Sequence, residues 1–158
     1  MTKNNFPDTH DYTGLYLFNR TSGNIPVRQS DLEKIVRCIE IHDGGQFRLI
    51  ELVYVDEPTI ISINQEHLGH NYATDIITFP YDTNSSDQHI ESTIYCCASH
   101  IRAQASEHDQ AEETEFQRII IHGLLHLLGY DDHAEADRHK MRNREDFYLQ
   151  KLQNTPEQ

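Results

Sequence analysis

The sequence has no tryptophan and only three cysteines, Cys38, Cys96 and Cys97. An odd count with two adjacent residues makes a poor disulfide framework. The core must therefore rest on Leu, Ile, Val, Phe and Tyr. Five prolines and seven glycines in 158 residues are too few for a disordered or collagen-like chain. No stretch approaches the roughly 18 consecutive apolar residues of a membrane helix. The opening MTKNNFPDTHDY lacks the apolar run of a signal peptide. These absences predict a cytoplasmic chain with no membrane partner. Positive charge is also scarce: 13 Lys and Arg against 26 Asp and Glu give a formal net charge of −13. Such a charge keeps a protein soluble and repels polyanions at long range. It argues against a generic nucleic-acid binder, DNA included. Any role on RNA needs a local basic surface, a metal or a helper protein.

Histidine, by contrast, is plentiful, with eleven residues, and spacing singles out two of them. The segment from residue 114 to residue 128 reads as a helix that is apolar nearly all round, which places it in the middle of the fold. Gly129 suits its C-terminal turn. His122 and His126 stand four apart on one helix face, where both imidazoles can reach one cation. After the glycine stop come Asp131, Asp132 and His133, any of which can complete the set. Two His and one carboxylate form a catalytic zinc set with the fourth position open to water. The competing reading is a pair of buried structural histidines. Position 123 is Gly, where zinc peptidases of the His-Glu-x-x-His type carry a general-base Glu, so that peptidase class is excluded.

The rest of the chain reads as one domain over 1–158. Residues 15–18 form a short strand. Ser30 with Glu33 suggests a capping box for a helix carrying Leu32, Ile35, Val36 and Ile39 and ended by Gly44-Gly45. Phe47 to Val55 is a strand, and Glu57-Pro58 opens a helix to about Leu68. Residues 69–72 are a loop. Asp75 to Phe79 is a strand stopped by Pro80, and residues 82–87 are polar and turn-rich. Ile90 to Cys96 pairs with the preceding strand as a hairpin. Helices follow over 98–108, 114–128 and 134–152, with a tail from Asn154. The expected fold is α+β: a small mixed four-stranded sheet packed with about five helices, the metal site on the central buried helix. Adjacent residues on a strand point to opposite faces, so Cys96 and Cys97 are packing residues rather than paired ligands.

HGLLHLLGYD from His122 to Asp131, with Met141 on the next helix, resembles the YbeY family of endoribonucleases. That family pattern is His-Gly-x-Leu-His-Leu-x-Gly-Tyr-Asp-His with a Met nine residues after the last His. Counting back nine from Met141 lands on Asp132, so Asp132 stands at the third-ligand position and His133 is a rival one residue late. A second stretch agrees: Ile63-Asn64, Gly69, then Ala73-Thr74-Asp75-Ile76-Ile77-Thr78-Phe79-Pro80. The chain departs where the family has Arg and this sequence has Leu68, which cannot clamp a phosphate. His70, two residues on, can take part of that role. The resemblance implies one Zn2+ per chain on His122, His126 and Asp132. It also implies single-strand-directed cleavage in maturation of the 16S ribosomal RNA 3′ end and ribosome quality control. The implied partners are ribosomal RNA, small-subunit proteins and assembly factors. Two other functions stay open: a non-catalytic small-subunit assembly factor with a structural metal, and a zinc hydrolase of a small molecule. Arg138, Lys140, Arg142 and Arg144 are the candidate basic surface, or else a solvated face paired with Glu135, Asp137, Glu145 and Asp146.

Overall fold

A computed structural model describes residues 13–81 and 89–154. The polar stretch at 82–87 and both ends of the chain lie outside the described residues. The elements run β1 (Gly14–Asn19), α1 (Gln29–Asp43), β2 (Gln46–Val55), α2 (Glu57–Leu68), β3 (Ile76–Pro80), β4 (His89–Cys97), α3 (Ala98–Glu107), α4 (Glu112–Leu127) and α5 (Glu135–Asn154). The four strands form one sheet in the order β1-β2-β4-β3. β1, β2 and β4 are parallel, and β3 runs antiparallel to β4. The hairpin and the mixed sheet are as the sequence predicts.

The central strand β2 is buried at seven of its ten positions, as expected for a parallel strand covered on both faces. Its even-numbered inner residues Ile50, Leu52 and Tyr54 join Ile94 and Cys96 in the larger core, under α1, α4 and α5. Val53, Val55, Ile77 and Cys97 face the other way, against Ile60 of α2. Cys96 and Cys97 thus pack on opposite sides of the sheet.

The start of α1 lies two residues earlier than the Ser30 cap predicts. Arg28 is the N-cap residue, and its backbone N–H is bound by the Asp31 carboxylate at 2.8 Å rather than by a Glu33 pairing. The reason is tertiary. The Gln29 side chain accepts from Leu17 N–H at 2.9 Å and donates to the Leu15 carbonyl at 2.6 Å. It thereby occupies the free edge of β1, which a sheet must otherwise protect, and fixes Gln29 as the first helical residue. α4 also starts earlier, at Glu112, with Glu112, Glu113 and Glu115 in its first turn, where acids suit the helix dipole.

α4 lies between the sheet and α5, with Phe116, Ile120, Ile121, Leu124 and Leu125 buried. It approaches β3 closely at Gly123. A Cβ there would sit 2.6 Å from Ile76 Cδ1, so the glycine that removes the peptidase base also lets β3 settle on the helix. Among the described residues, no helix is long and apolar enough to cross a membrane.

Candidate metal centre

The geometry begins at the end of α4. Gly129 has φ +102°, a left-handed setting that suits glycine. Its N–H donates to the His126 carbonyl at 3.0 Å, and Tyr130 N–H donates to the Leu125 carbonyl at 3.1 Å. This is a Schellman stop, and it turns the chain back over the helix. Asp131 then accepts from the N–H of Asp132 at 2.7 Å and of His133 at 3.2 Å. This short polar turn holds the Asp131 carboxyl below its ordinary range and aims Asp132 at the helix.

Three ligand atoms converge there. His122 Nε2 and His126 Nε2 are 3.0 Å apart. Asp132 Oδ2 lies 3.4 Å from the first and 3.3 Å from the second. N and O ligands at about 2.0–2.1 Å from a tetrahedral zinc are separated by about 3.3–3.4 Å, so this triangle has the size that such an ion requires. The three side chains are 22%, 31% and 34% exposed, which leaves the open side within reach of solvent and substrate. Asp132, rather than His133, closes the triangle. His133 is 90% exposed and its ring faces Asp131.

Glu145 on α5 supplies what the ligand set alone lacks. Its Oε2 lies 2.7 Å from His122 Nδ1. A neutral ring that donates its Nδ1–H to this carboxylate keeps its Nε2 lone pair for a cation. Glu145 Oε1 in turn accepts from Arg118 Nη1 at 3.0 Å, and Arg118 Nη2 donates to Asp146 at 2.7 Å. Burial favours a neutral His122 ring, but Glu145, then Asp132 and Asp75, outweigh it and raise its pKa above the ordinary value. The negative field that attracts a proton to this ring also attracts a metal ion.

Sequence reading places Glu145 with the surface bases of α5, and the structure corrects this. Glu145 is 5% exposed and its basic partner is Arg118. The signal was present: Met141, Glu145, Tyr148 and Leu149 are the buried face of α5, and an acid in an apolar stripe needs a partner. Arg118 and His122, four residues apart on α4, face it. Three of the four α5 bases are engaged elsewhere, and Arg142 is exposed. Arg138 Nη1 donates to the His133 carbonyl at 2.7 Å, Arg144 pairs with Asp43 at 2.9 Å, and Lys140 lies over the Tyr130 ring. His70 stands outside the three-atom group, exposed and stacked on Tyr72.

Known proteins repeat this chain over most of its length. The family described as Endoribonuclease YbeY matches residues 19–153. "Endoribonuclease YbeY" of Chlorobium phaeovibrioides is 36% identical over 138 residues, covering 87% of this chain and 90% of the relative. The protein of that name in Chlorobium phaeobacteroides is 38% identical, with 87% and 96% covered. That of Salinibacter ruber is 33% identical, with 78% and 85% covered. Among solved structures, the solution structure of TM1509 from Thermotoga maritima superposes with a TM-score of 0.59 at 24% identity, covering 87% of each chain, and shares the fold. With the family match spanning β2 to β4, α4 and the turn that carries Asp132, the chain belongs to the YbeY family of endoribonucleases.

Proposed function

We propose that this protein is a zinc-dependent endoribonuclease of ribosomal RNA processing, cutting single-stranded RNA with one Zn2+ held by His122, His126 and Asp132. The observation that carries the catalytic reading is the ligand count. Among the described residues His122, His126 and Asp132 bring three protein ligand atoms around one point, beside a more exposed grouping of Asp131, Asp132 and His133; three is the number of a catalytic zinc site, whereas structural sites close with four. When bound, the ion supplies a Lewis acid for a phosphoryl oxygen and a more acidic water. The chain's own residues do the rest. Glu145 fixes the His122 tautomer, Arg118 holds Glu145, and the Asp131 turn presents the third ligand. Asp132 in place of a neutral ligand adds negative charge at the ion, which makes the ion a weaker acid.

The net charge of −13 disfavours long-range capture of free RNA. Recruitment by small-subunit proteins or assembly factors in the cytoplasm, where the 16S 3′ end is matured and ribosomes are checked, meets that difficulty. The names of the curated relatives support the nuclease. The second reading, an assembly factor with a structural metal, draws on Leu68, which leaves α2 without a phosphate-binding Arg.

Metal analysis and cleavage assays on wild type and His126→Ala test the proposal. Wild type should carry about one zinc per chain and cut single-stranded but not duplex RNA. The variant, folded by circular dichroism, should lose both together. Equal metal in the two proteins overturns the site. Metal lost with no wild-type cleavage of any ribosomal RNA strand favours the assembly factor.

A further inference from the structure

Between Arg48 and Arg102 the sequence contains no Lys and no Arg. That stretch builds α2, β3 and β4, and with them a flank of the metal centre. Ile76 meets α4 at Gly123, and Asp75 lies close enough to act on the charge of His122. An RNA strand passing along α2 and β3 meets no Lys or Arg of that stretch, and Arg48, the base beside β4, is paired with Glu91 at 3.4 Å.

It meets aromatic and apolar surface instead. His70 and Tyr72 stack with ring centroids 5.1 Å apart and planes 14° from parallel, the Tyr72 hydroxyl 3.1 Å from His70 Nδ1. Tyr72 is 57% exposed and Leu68, beside them, 50%. The pair is held in place from below. Asn64 is buried, donates from Nδ2 to the Tyr72 carbonyl at 2.9 Å, and accepts from His70 N–H through its own carbonyl. A rigid exposed ring loses little freedom when it binds a partner. Tyr72 precedes Asp75 by three residues, a span of at most about 11 Å of chain, so the ring is within a few nucleotides of the ion-binding triangle.

We propose that Tyr72, braced by His70, is a stacking platform for an unpaired base of the RNA substrate near the scissile phosphate. The inference rests on the endoribonuclease reading and adds to it the way this acidic protein grips its strand. Every base has a flat face, so stacking is tolerant of sequence and owes nothing to cations. A base held in a duplex keeps its faces in its own stack, so the platform also selects single strands.

The test is cleavage kinetics with zinc-loaded protein on a short single-stranded RNA of fixed sequence, and on versions in which one nucleotide at a time is abasic. Tyr72→Ala should raise KM about 5- to 150-fold, the equivalent of about 1–3 kcal/mol of stacking, with kcat and metal content little changed. Tyr72→Phe should behave as wild type, and His70→Ala should show a smaller loss. In the wild type, one abasic position should carry a KM penalty that disappears in Tyr72→Ala, a coupling that a merely structural tyrosine would not produce. An unchanged KM in Tyr72→Ala, or equal abasic penalties in both proteins, overturns the platform alone. A wild type that cuts no RNA overturns the nuclease reading, and the platform with it.

Discussion

His122 has two ring nitrogens, and Glu145 settles which of them is free. The carboxylate lies 2.7 Å from Nδ1 and accepts the hydrogen bond of its N–H, so the Nε2 lone pair is left facing His126 Nε2 at 3.0 Å. Two lone pairs at that distance repel unless a proton or a metal ion lies between them. Glu145 thus sets the tautomer and orientation that a cation needs, and partners of this kind affect metal affinity by about 10–100-fold. Glu145→Gln keeps the shape but removes the charge that faces both His122 and Arg118. We expect its zinc affinity to fall by that factor, read by competition with a chromophoric chelator. Arg118 remains paired with Asp146, so the variant should stay folded. An affinity equal to wild type would mean that the ring is oriented by packing alone.

Three elements meet at Asp43, the last residue of α1. Its carboxylate accepts from the Tyr130 hydroxyl at 2.5 Å, from the Tyr148 hydroxyl, and from Arg144 Nε at 2.9 Å. Tyr130 stands two residues before Asp132, while Tyr148 and Arg144 belong to α5, so one acid ties α1 and α5 to the turn that presents the third ligand. Burial pushes the Asp43 pKa up, but the two tyrosines and Arg144 outweigh it and hold it below the ordinary 3.8. A depressed carboxylate pKa stabilises the fold above the ordinary value, and that stability is lost as pH falls through the lower folded value. Asp43→Asn should cost about 1–3 kcal/mol near neutral pH. In urea denaturation series, its difference from wild type should shrink below pH 3.8. A difference that persists in acid would assign the cost to shape rather than charge. This clamp was not legible in the sequence, because its members are separated by about a hundred residues and none follows a periodic pattern. Elements with a strong local signal were legible: the apolar face of α1, the Pro-opened α2 and the glycine stop after α4. The start of α1 was misplaced because a bond from Gln29 to the distant edge of β1 overrides its local capping pattern.

For the molecule as a whole, the question is how a chain of net charge −13 works on a polyanion. The metal pair was readable because helix geometry ties residues four apart, and Asp132 because a glycine turn limits where the chain goes next. The electrostatic design was only half readable. Four bases close together on α5 suggest a phosphate track, yet Arg138 and Arg144 are bound to the protein itself. Lys140 and Arg142 stay exposed on α5, while the α2–β3 flank has no Lys or Arg and an exposed Leu68 at the end of α2. Leu68→Arg therefore tests the whole arrangement. A cation there adds a phosphate contact, and each such contact steepens the dependence of log K on log salt by about 0.7 for a single strand. The variant should bind single-stranded RNA more tightly than wild type at low salt and converge with it as salt rises. Tyr72→Ala should instead weaken binding with the salt slope unchanged. Measured by fluorescence anisotropy across a salt series, equal slopes in wild type and Leu68→Arg would mean that the strand does not pass the end of α2, and that this flank is not where the protein holds RNA.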